Sequence, residues 1–210
     1  MSLDPQDIIP ALIAAGIFLL IGFPLHEASH AFMADRLGDR TARYAGRLSL
    51  NPIVHFDPLG GIILVASALY GGFIIGWAKP TPVNPVNLRG GRRGEAWVAA
   101  AGPLSNLLMA AIAAIPIRLL LATGTSVPDM VWLVLANLVY FNIFLFIFNL
   151  IPVPPLDGYR VLVGFLDVRT AYRLRQYEQY GFVLILVVFL LGGQYLVPIA
   201  SSIYGFLVGV

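Results

Sequence analysis

The chain contains no cysteine, which excludes disulfide bonds, thiolate zinc sites and cysteine nucleophiles. Charged residues are also scarce, because Asp, Glu, Lys and Arg make up 11% of the sequence, whereas a soluble domain averages roughly a quarter. Hydrophobic residues make up 59%, and this composition predicts an integral membrane protein. The net charge of +2 is small and the arginines lie in predicted loops, which argues against a nucleic-acid partner.

The start of the chain has little of what a signal peptide needs. Residues 1–10 include Asp4 and Asp7 but neither Lys nor Arg, so they lack a basic n-region. We therefore expect the first hydrophobic segment, from Ile8 to about Ala34, to remain as a membrane-spanning helix. An arginine-rich stretch follows at 35–50. Because basic loops face the cytoplasm, the N-terminus is predicted to be extracytoplasmic.

Other apolar segments indicate further spans. Segments 97–121 and 130–151 are each long enough to cross a membrane, and 181–210 adds one span or one and a half. If 58–77 also crossed fully, the basic stretch 79–93 would lie outside, against the charge rule. We therefore predict that 58–77 is re-entrant and returns to the cytoplasmic side, lining a protein cavity. An ordinary span with an atypical loop is the alternative.

One polar motif lies within the first hydrophobic segment, His26-Glu27-Ala28-Ser29-His30, which has the pattern H-E-x-x-H. Residues four apart share one face of a helix, so His26 and His30 can reach the same metal ion. Glu27 lies beside them, where its carboxylate could take a proton from metal-bound water. Ionisable residues at membrane depth are costly and usually functional. The motif therefore indicates a hydrolytic metal site, and two histidines bonded to backbone carbonyls are the alternative.

A catalytic zinc site usually has a third protein ligand, and the sequence offers three candidates. Asp157 follows a predicted spanning helix that ends on the cytoplasmic side, where nearby prolines unwind the helix and Gly158 lets the backbone turn. His55 and Asp57 lie in a polar loop close in sequence to the histidine motif. We favour Asp157 over His55. The alternatives are a helix-end turn residue for Asp157 and a backbone-bonded loop histidine for His55.

Two separated motifs carry a resemblance to a known family. H-E-x-x-H in a first hydrophobic helix, followed far downstream by N-x-x-P-x-x-x-x-D-G at 149–158, resembles the site-2 protease family of intramembrane zinc metalloproteases. The sequence Gly-Pro-Leu-Ser-Asn at 102–106 is also similar to a small-residue stretch of that family. The resemblance covers 8–158, which is most of the chain.

The resemblance implies the roles of several residues and a single zinc ion per chain. The implied residues are the zinc ligands His26, His30 and Asp157, the general base Glu27, and the substrate-binding residues Asn149 and Asn106. Independently of the resemblance, His55 is a candidate auxiliary residue because of its position in the loop near the motif. The implied fold is an all-α integral membrane protein, a polytopic helical bundle of about four to five spans. Its re-entrant segment, helical or β, would lie between the first two core helices.

The same resemblance implies the organisation and activity of the protein. Residues 1–210 would form a single intramembrane metalloprotease domain without PDZ or CBS domains, with its core at 8–158 and its C-terminal helices at 159–210. The protein would be a zinc metalloendopeptidase that hydrolyses peptide bonds within or near transmembrane helices of membrane-tethered proteins, in regulated intramembrane proteolysis. Its partners would be single-span substrates and the lipid bilayer of a prokaryotic plasma membrane, with the active site toward the cytoplasm. An oligomer is left open.

Two other functions compete with proteolysis. A transporter or channel could use the histidines as an ion path, but such a path favours polar groups spaced along several helices. The polar groups of this chain instead concentrate at one depth. A catalytically silent relative could bind membrane helices, but it would not need Glu27.

Overall fold

The computed structural model describes residue 9, residues 13–14, residues 16–63 and residues 79–210. Within these ranges all regular secondary structure is helical, which agrees with the predicted all-α class. The α-helices with both ends described are α1 (Phe23–Arg36), α2 (Thr41–Tyr44), α3 (Pro52–His55), α4 (Arg92–Thr123), α5 (Asp129–Asn149), α6 (Asp157–Phe165), α7 (Val168–Arg175) and α8 (Gly181–Val208).

Three helices of the described part are long and apolar enough to cross a membrane. They are α4, α5 and the section Leu190–Val208 of α8. Together with the apolar composition, they support the prediction of a membrane protein. Most of the segment predicted to be re-entrant, 64–77, lies outside the described residues, and its described beginning at 58–63 is helical.

Helix α1 carries the H-E-x-x-H motif and is preceded by a π-helical turn at Phe18–Gly22. Pro24 lies in the first turn of α1, where a missing N–H is tolerated because the first amides of a helix have no intrahelical partner. The change from π to α geometry therefore falls where the sequence places a proline just before the motif. α1 ends at Arg36, two residues beyond the predicted end of the hydrophobic segment.

Helix α4 is the centre of the bundle, because it contacts α1, α5, α6 and α8. Small residues on its N-terminal half, including Ala96, Ala99 and Gly102, are buried, and small residues let helices approach closely. Its other half forms an apolar core with α5 and α8. The fully or nearly fully buried members of that core are Ala110, Ala114, Ile117, Val139, Ile143, Ala200 and Val208.

The link between α5 and α6 turns the chain back beside α4. A Cβ atom at Gly158 would collide with the carbonyl oxygens of Leu150 and Ile151, so only glycine allows α6 to begin so close to the end of α5. Asp157 is the first residue of α6. The close turn therefore sets its carboxylate beside the cytoplasmic ends that the sequence predicts for α1 and α5.

Candidate metal centre

Three side chains from two distant parts of the chain meet at one point. The Nε2 atoms of His26 and His30 each lie 3.3 Å from Oδ2 of Asp157. The two Nε2 atoms lie 3.1 Å from one another. The structure thus brings together the two histidines and the aspartate that the sequence suggests as metal ligands.

The donor atoms fit a zinc ion in type and spacing. Zinc in proteins takes histidine nitrogen and carboxylate oxygen at about 2.0–2.2 Å, and tetrahedral ligands at that distance lie about 3.3–3.6 Å apart. The measured separations of 3.1–3.3 Å are close to that range. One ligand atom each of His26, Glu27 and His30 also lies within 4.8 Å of the others. Glu27 therefore borders the same point.

The ring of His30 is oriented by the backbone of α4. Its Nδ1 lies 2.7 Å from the carbonyl oxygen of Val98. A carbonyl oxygen only accepts, so Nδ1 carries a proton and, in the neutral ring, Nε2 has the lone pair that a metal ion would take. Metal-binding histidines almost always have such a partner on the other ring nitrogen.

The ring of His26 is oriented by a side chain. Its Nδ1 lies 2.5 Å from Oδ1 of Asn106, which is fully buried in α4. This position behind the imidazole differs from the contact with substrate that the resemblance implies for Asn106. The sequence analysis missed the orienting role, although an asparagine in the middle of an apolar helix is itself a signal that a buried polar partner exists.

Gly102 lets α4 pass directly under both imidazoles. A Cβ atom there would collide with Nε2 of His30 and with Nε2 of His26. The small-residue stretch that the sequence shows at 102–106 thus has a specific consequence, since the first residue makes room for the two rings and the last one bonds to His26.

The carboxylate of Glu27 is held by a residue that the sequence analysis did not single out. Its Oε2 accepts hydrogen bonds from the backbone N–H of Thr81 at 3.0 Å and from the Thr81 hydroxyl at 2.7 Å. Thr81 lies between two prolines, Pro80 and Pro82, in a stretch without regular secondary structure. Nothing in the local sequence connects that stretch to the H-E-x-x-H motif.

The stretch that carries Thr81 is anchored by Asp39. This aspartate is fully buried and accepts hydrogen bonds from the Asn84 N–H at 2.7 Å and from the Asn87 amide at 3.1 Å. Burial alone would raise the pKa of Asp39, but these bonds and those from Thr41 outweigh it and hold the pKa below its ordinary value. Asp39 therefore stays ionised and holds the segment over the end of α1.

The side chains of His26, Glu27, His30 and Asp157 line a cavity of about 170 Å³. Asn149, the last residue of α5, also borders it, and its amide donates to the carbonyl oxygen of Leu145 at 3.1 Å. One amide hydrogen of Asn149 remains available after that bond. Its predicted contact with substrate stays a prediction.

The structure does not bring His55 to this cavity. The side chain is buried, and its Nε2 lies 2.8 Å from the carbonyl oxygen of Ser49 in its own loop. Asp57 accepts a hydrogen bond from the N–H of Gly60 at 2.9 Å, so it begins the helical stretch at 58. Neither residue is among those that line the cavity.

Comparisons with known proteins identify relatives along nearly the whole chain. The model of peptidase family M50 matches residues 116–193. A Bacillus subtilis protein named "Putative zinc metalloprotease YwhC" is 38% identical over 94% of this chain and 89% of its own length. Mycobacterium tuberculosis and Mycolicibacterium smegmatis proteins, both named "Putative zinc metalloprotease Rip2", are 31% and 30% identical, over 88% and 86% of this chain and 71% and 70% of their own lengths. No solved structure matches the chain.

The extent of the Bacillus match decides the family. It spans both halves of the chain, and so includes α1 with its histidine motif as well as the region of α5 and α6. Within the matched residues, the imidazole nitrogens of His26 and His30 meet the carboxylate of Asp157. Both donor types are ones that zinc enzymes use. The chain belongs to peptidase family M50, the site-2 protease family of zinc metalloproteases.

Proposed function

We propose that this protein is an intramembrane zinc endopeptidase that cleaves membrane-tethered proteins within or near their transmembrane helices. The observation that carries this proposal is the meeting of His26, His30 and Asp157 at 3.1–3.3 Å. Their point of contact lies in a cavity that Glu27 also lines, among helices apolar enough for a membrane.

The chemistry follows from the residues around the cavity. A zinc ion held by His26, His30 and Asp157 would supply a Lewis acid that activates water and polarises the scissile carbonyl. Glu27 takes the proton of the attacking water and delivers it to the leaving amine. The free amide hydrogen of Asn149 is donated to the carbonyl oxygen as negative charge develops there.

The distribution of arginines supports a cavity that faces the cytoplasm. Arg92 and Arg93 lie at the start of α4, and α7 contains three arginines. Basic residues beside spans remain on the cytoplasmic side, and the cavity lies at the same ends of α4 and α5. This topology puts the N-terminus outside. With α1 and a re-entrant 58–77, it gives about four to five spans.

A transmembrane substrate must lose its helical hydrogen bonds before it can react. In lipid every backbone group of a helix is bonded internally, so the scissile peptide bond is shielded until the helix unwinds. An extended backbone beside the cavity can replace the lost bonds by strand addition. The re-entrant segment would provide that edge for a single-span partner.

The test is cleavage by the purified protein in detergent, with a panel of tagged single-span segments as substrates. We expect wild-type cleavage to stop with a zinc chelator, to return when zinc is restored, and to be absent in Glu27→Gln. A protein that binds zinc but cleaves none of the segments would contradict the proposal. A reporter fused after Val86 is expected to be cytoplasmic, and an extracytoplasmic signal would contradict the re-entrant segment.

A further inference from the structure

A line of polar side chains leads from His26 away from the cavity and into the apolar interior between α4 and α5. Oδ1 of Asn106 faces Nδ1 of His26 at 2.5 Å, and Nδ2 of Asn106 lies 3.2 Å from Oδ1 of Asn142. Nδ2 of Asn142 then lies 2.9 Å from the carbonyl oxygen of Leu138. Both asparagines are buried. Buried amides are costly unless bonded, and each of these is bonded on both sides.

We call the hydrogen-bonded series of His26, Asn106, Asn142 and the Leu138 carbonyl the relay. Its donor-to-acceptor direction is fixed at the Leu138 end. The carbonyl of Leu138 can only accept, so Asn142 must present its NH₂ group there and its oxygen toward Asn106. Asn106 then presents its own NH₂ group to Asn142 and its oxygen to His26. An amide oxygen also only accepts, so Nδ1 of His26 carries the proton. In the neutral ring, the Nε2 lone pair is then available to a metal ion.

We propose that Asn106 and Asn142 are positioning residues that hold His26 in the tautomer and ring orientation that zinc binding requires. The inference rests on the proposed function, in which His26 is a zinc ligand. Outer partners of this kind fix the tautomer of a ligating histidine and strengthen its metal binding.

The two histidines differ in how much support their partners need. The partner of His30 is the backbone carbonyl of Val98, which cannot present a donor. The partner of His26 is a side-chain amide, which by itself can present either its oxygen or its NH₂ group. Asn142 fixes which end of the Asn106 amide faces His26. Its influence on zinc binding therefore acts on His26 through Asn106.

Asn137 provides a matched control on the same helix. Its amide donates to the carbonyl oxygen of Leu133 at 2.7 Å, which is the same local bond that Asn142 makes five residues later. No hydrogen bond joins Asn137 to Asn106 within the described residues. Replacing it removes an equivalent amide from α5 but leaves the relay intact.

The experiment measures the zinc dissociation constant of the purified full chain in detergent, by competition with a chromophoric chelator. We expect Asn142→Leu to weaken zinc binding about tenfold, the low end for outer partners, and Asn137→Leu to change it by less than about twofold. The decisive comparison repeats Asn142→Leu in an Asn106→Asp background. A carboxylate presents an acceptor whichever way it turns. In that background, Asn142→Leu should therefore weaken zinc binding by less than about twofold.

An equal loss of affinity in both backgrounds would overturn the inference, because it would show that Asn142 acts through packing alone. No loss from Asn142→Leu in the wild-type background would overturn it as well. If Asn142→Leu does not fold, Asn142→Ala takes its place in both backgrounds. A folded wild-type chain that binds no zinc would instead refute the proposed function, so the two failures are distinguishable.

Discussion

The two sides of the cavity are held by different kinds of structure. The imidazoles of His26 and His30 are both fixed by α4, through Asn106 and the Val98 carbonyl. The carboxylate of Glu27, on the same helix as the histidines, is fixed instead by Thr81 in a stretch without regular structure. One side of the site thus depends on helix packing and the other on a loop.

In the proposed mechanism, this difference separates metal binding by the histidines from proton transfer by Glu27. Changes in α4 should displace the metal ligands, because within the described residues the Nδ1 atom of each ring is bonded to α4. Changes in the loop should alter the position of Glu27 and leave zinc in place. Four substitutions test this separation.

The largest effect is expected for Glu27→Gln. The amide keeps the shape of the side chain but cannot accept a proton, so cleavage should fall about 10²–10⁴-fold. Zinc content should equal that of the wild type, because both histidines and Asp157 remain. Cleavage rates and elemental analysis of the same preparations measure both quantities. A variant that cleaves at the wild-type rate would exclude Glu27 as the base.

The next largest effect is expected for Gly102→Ala. Its methyl group would occupy the space of the two Nε2 atoms, so the rings must move and zinc affinity should fall at least about 10–100-fold. Gly193→Ala is the control, since a Cβ atom there meets nothing within 4 Å. Zinc competition measures both variants. If Gly102→Ala bound zinc with wild-type affinity, the side of the cavity that α4 supports would be less rigid than its packing indicates.

A smaller effect is expected for Thr81→Val, which removes the hydroxyl bond to Glu27 but keeps the backbone N–H. One hydrogen bond to a charged group contributes about 1.5–3 kcal/mol, and only part of it affects the position of the base. We expect kcat to fall about tenfold, with KM and zinc content nearly unchanged. Thr81→Ser retains the hydroxyl and should restore most of kcat. Loss of zinc in Thr81→Val would contradict the expectation that zinc binding does not depend on the loop that holds Glu27.

The smallest effect is expected for Asp39→Asn, and it depends on pH. Because the pKa of folded Asp39 lies below its ordinary value of 3.8, its ionised form stabilises the fold at pH 7. That contribution is lost as the pH falls below 3.8 and through the lowered folded pKa. At pH 7 the free energy of unfolding of the zinc-free wild type should exceed that of the variant by about 1 kcal/mol. Thermal unfolding in detergent should show the difference narrowing toward pH 3. A difference independent of pH would contradict this.

Part of the site could be read from the sequence because its residues lie in short linear patterns. His26, Glu27 and His30 share one helix, and the helical repeat alone places the two histidines on one face. Asp157 could be suggested from its place after a spanning helix. Its approach to the histidines depends on the close turn at Gly158.

The rest could not be predicted, because it depends on which faces of different elements meet. Asn106 is assigned to the substrate by resemblance, but the packing of α4 against α1 turns it to the back of His26. Thr81 reaches Glu27 only through the folding of a loop. Conversely, His55 is close to the motif in sequence, yet it is bonded within its own loop.

The position of Asp157 also affects when the enzyme can become active during its own synthesis. The ribosome completes α1 long before α6, and chains begin to fold from their N-terminal end. In the proposed ligand set, a newly made α1 holds two of three zinc ligands and lacks the carboxylate. Until translation has passed residue 157, the nascent chain therefore lacks a complete set of the proposed zinc ligands.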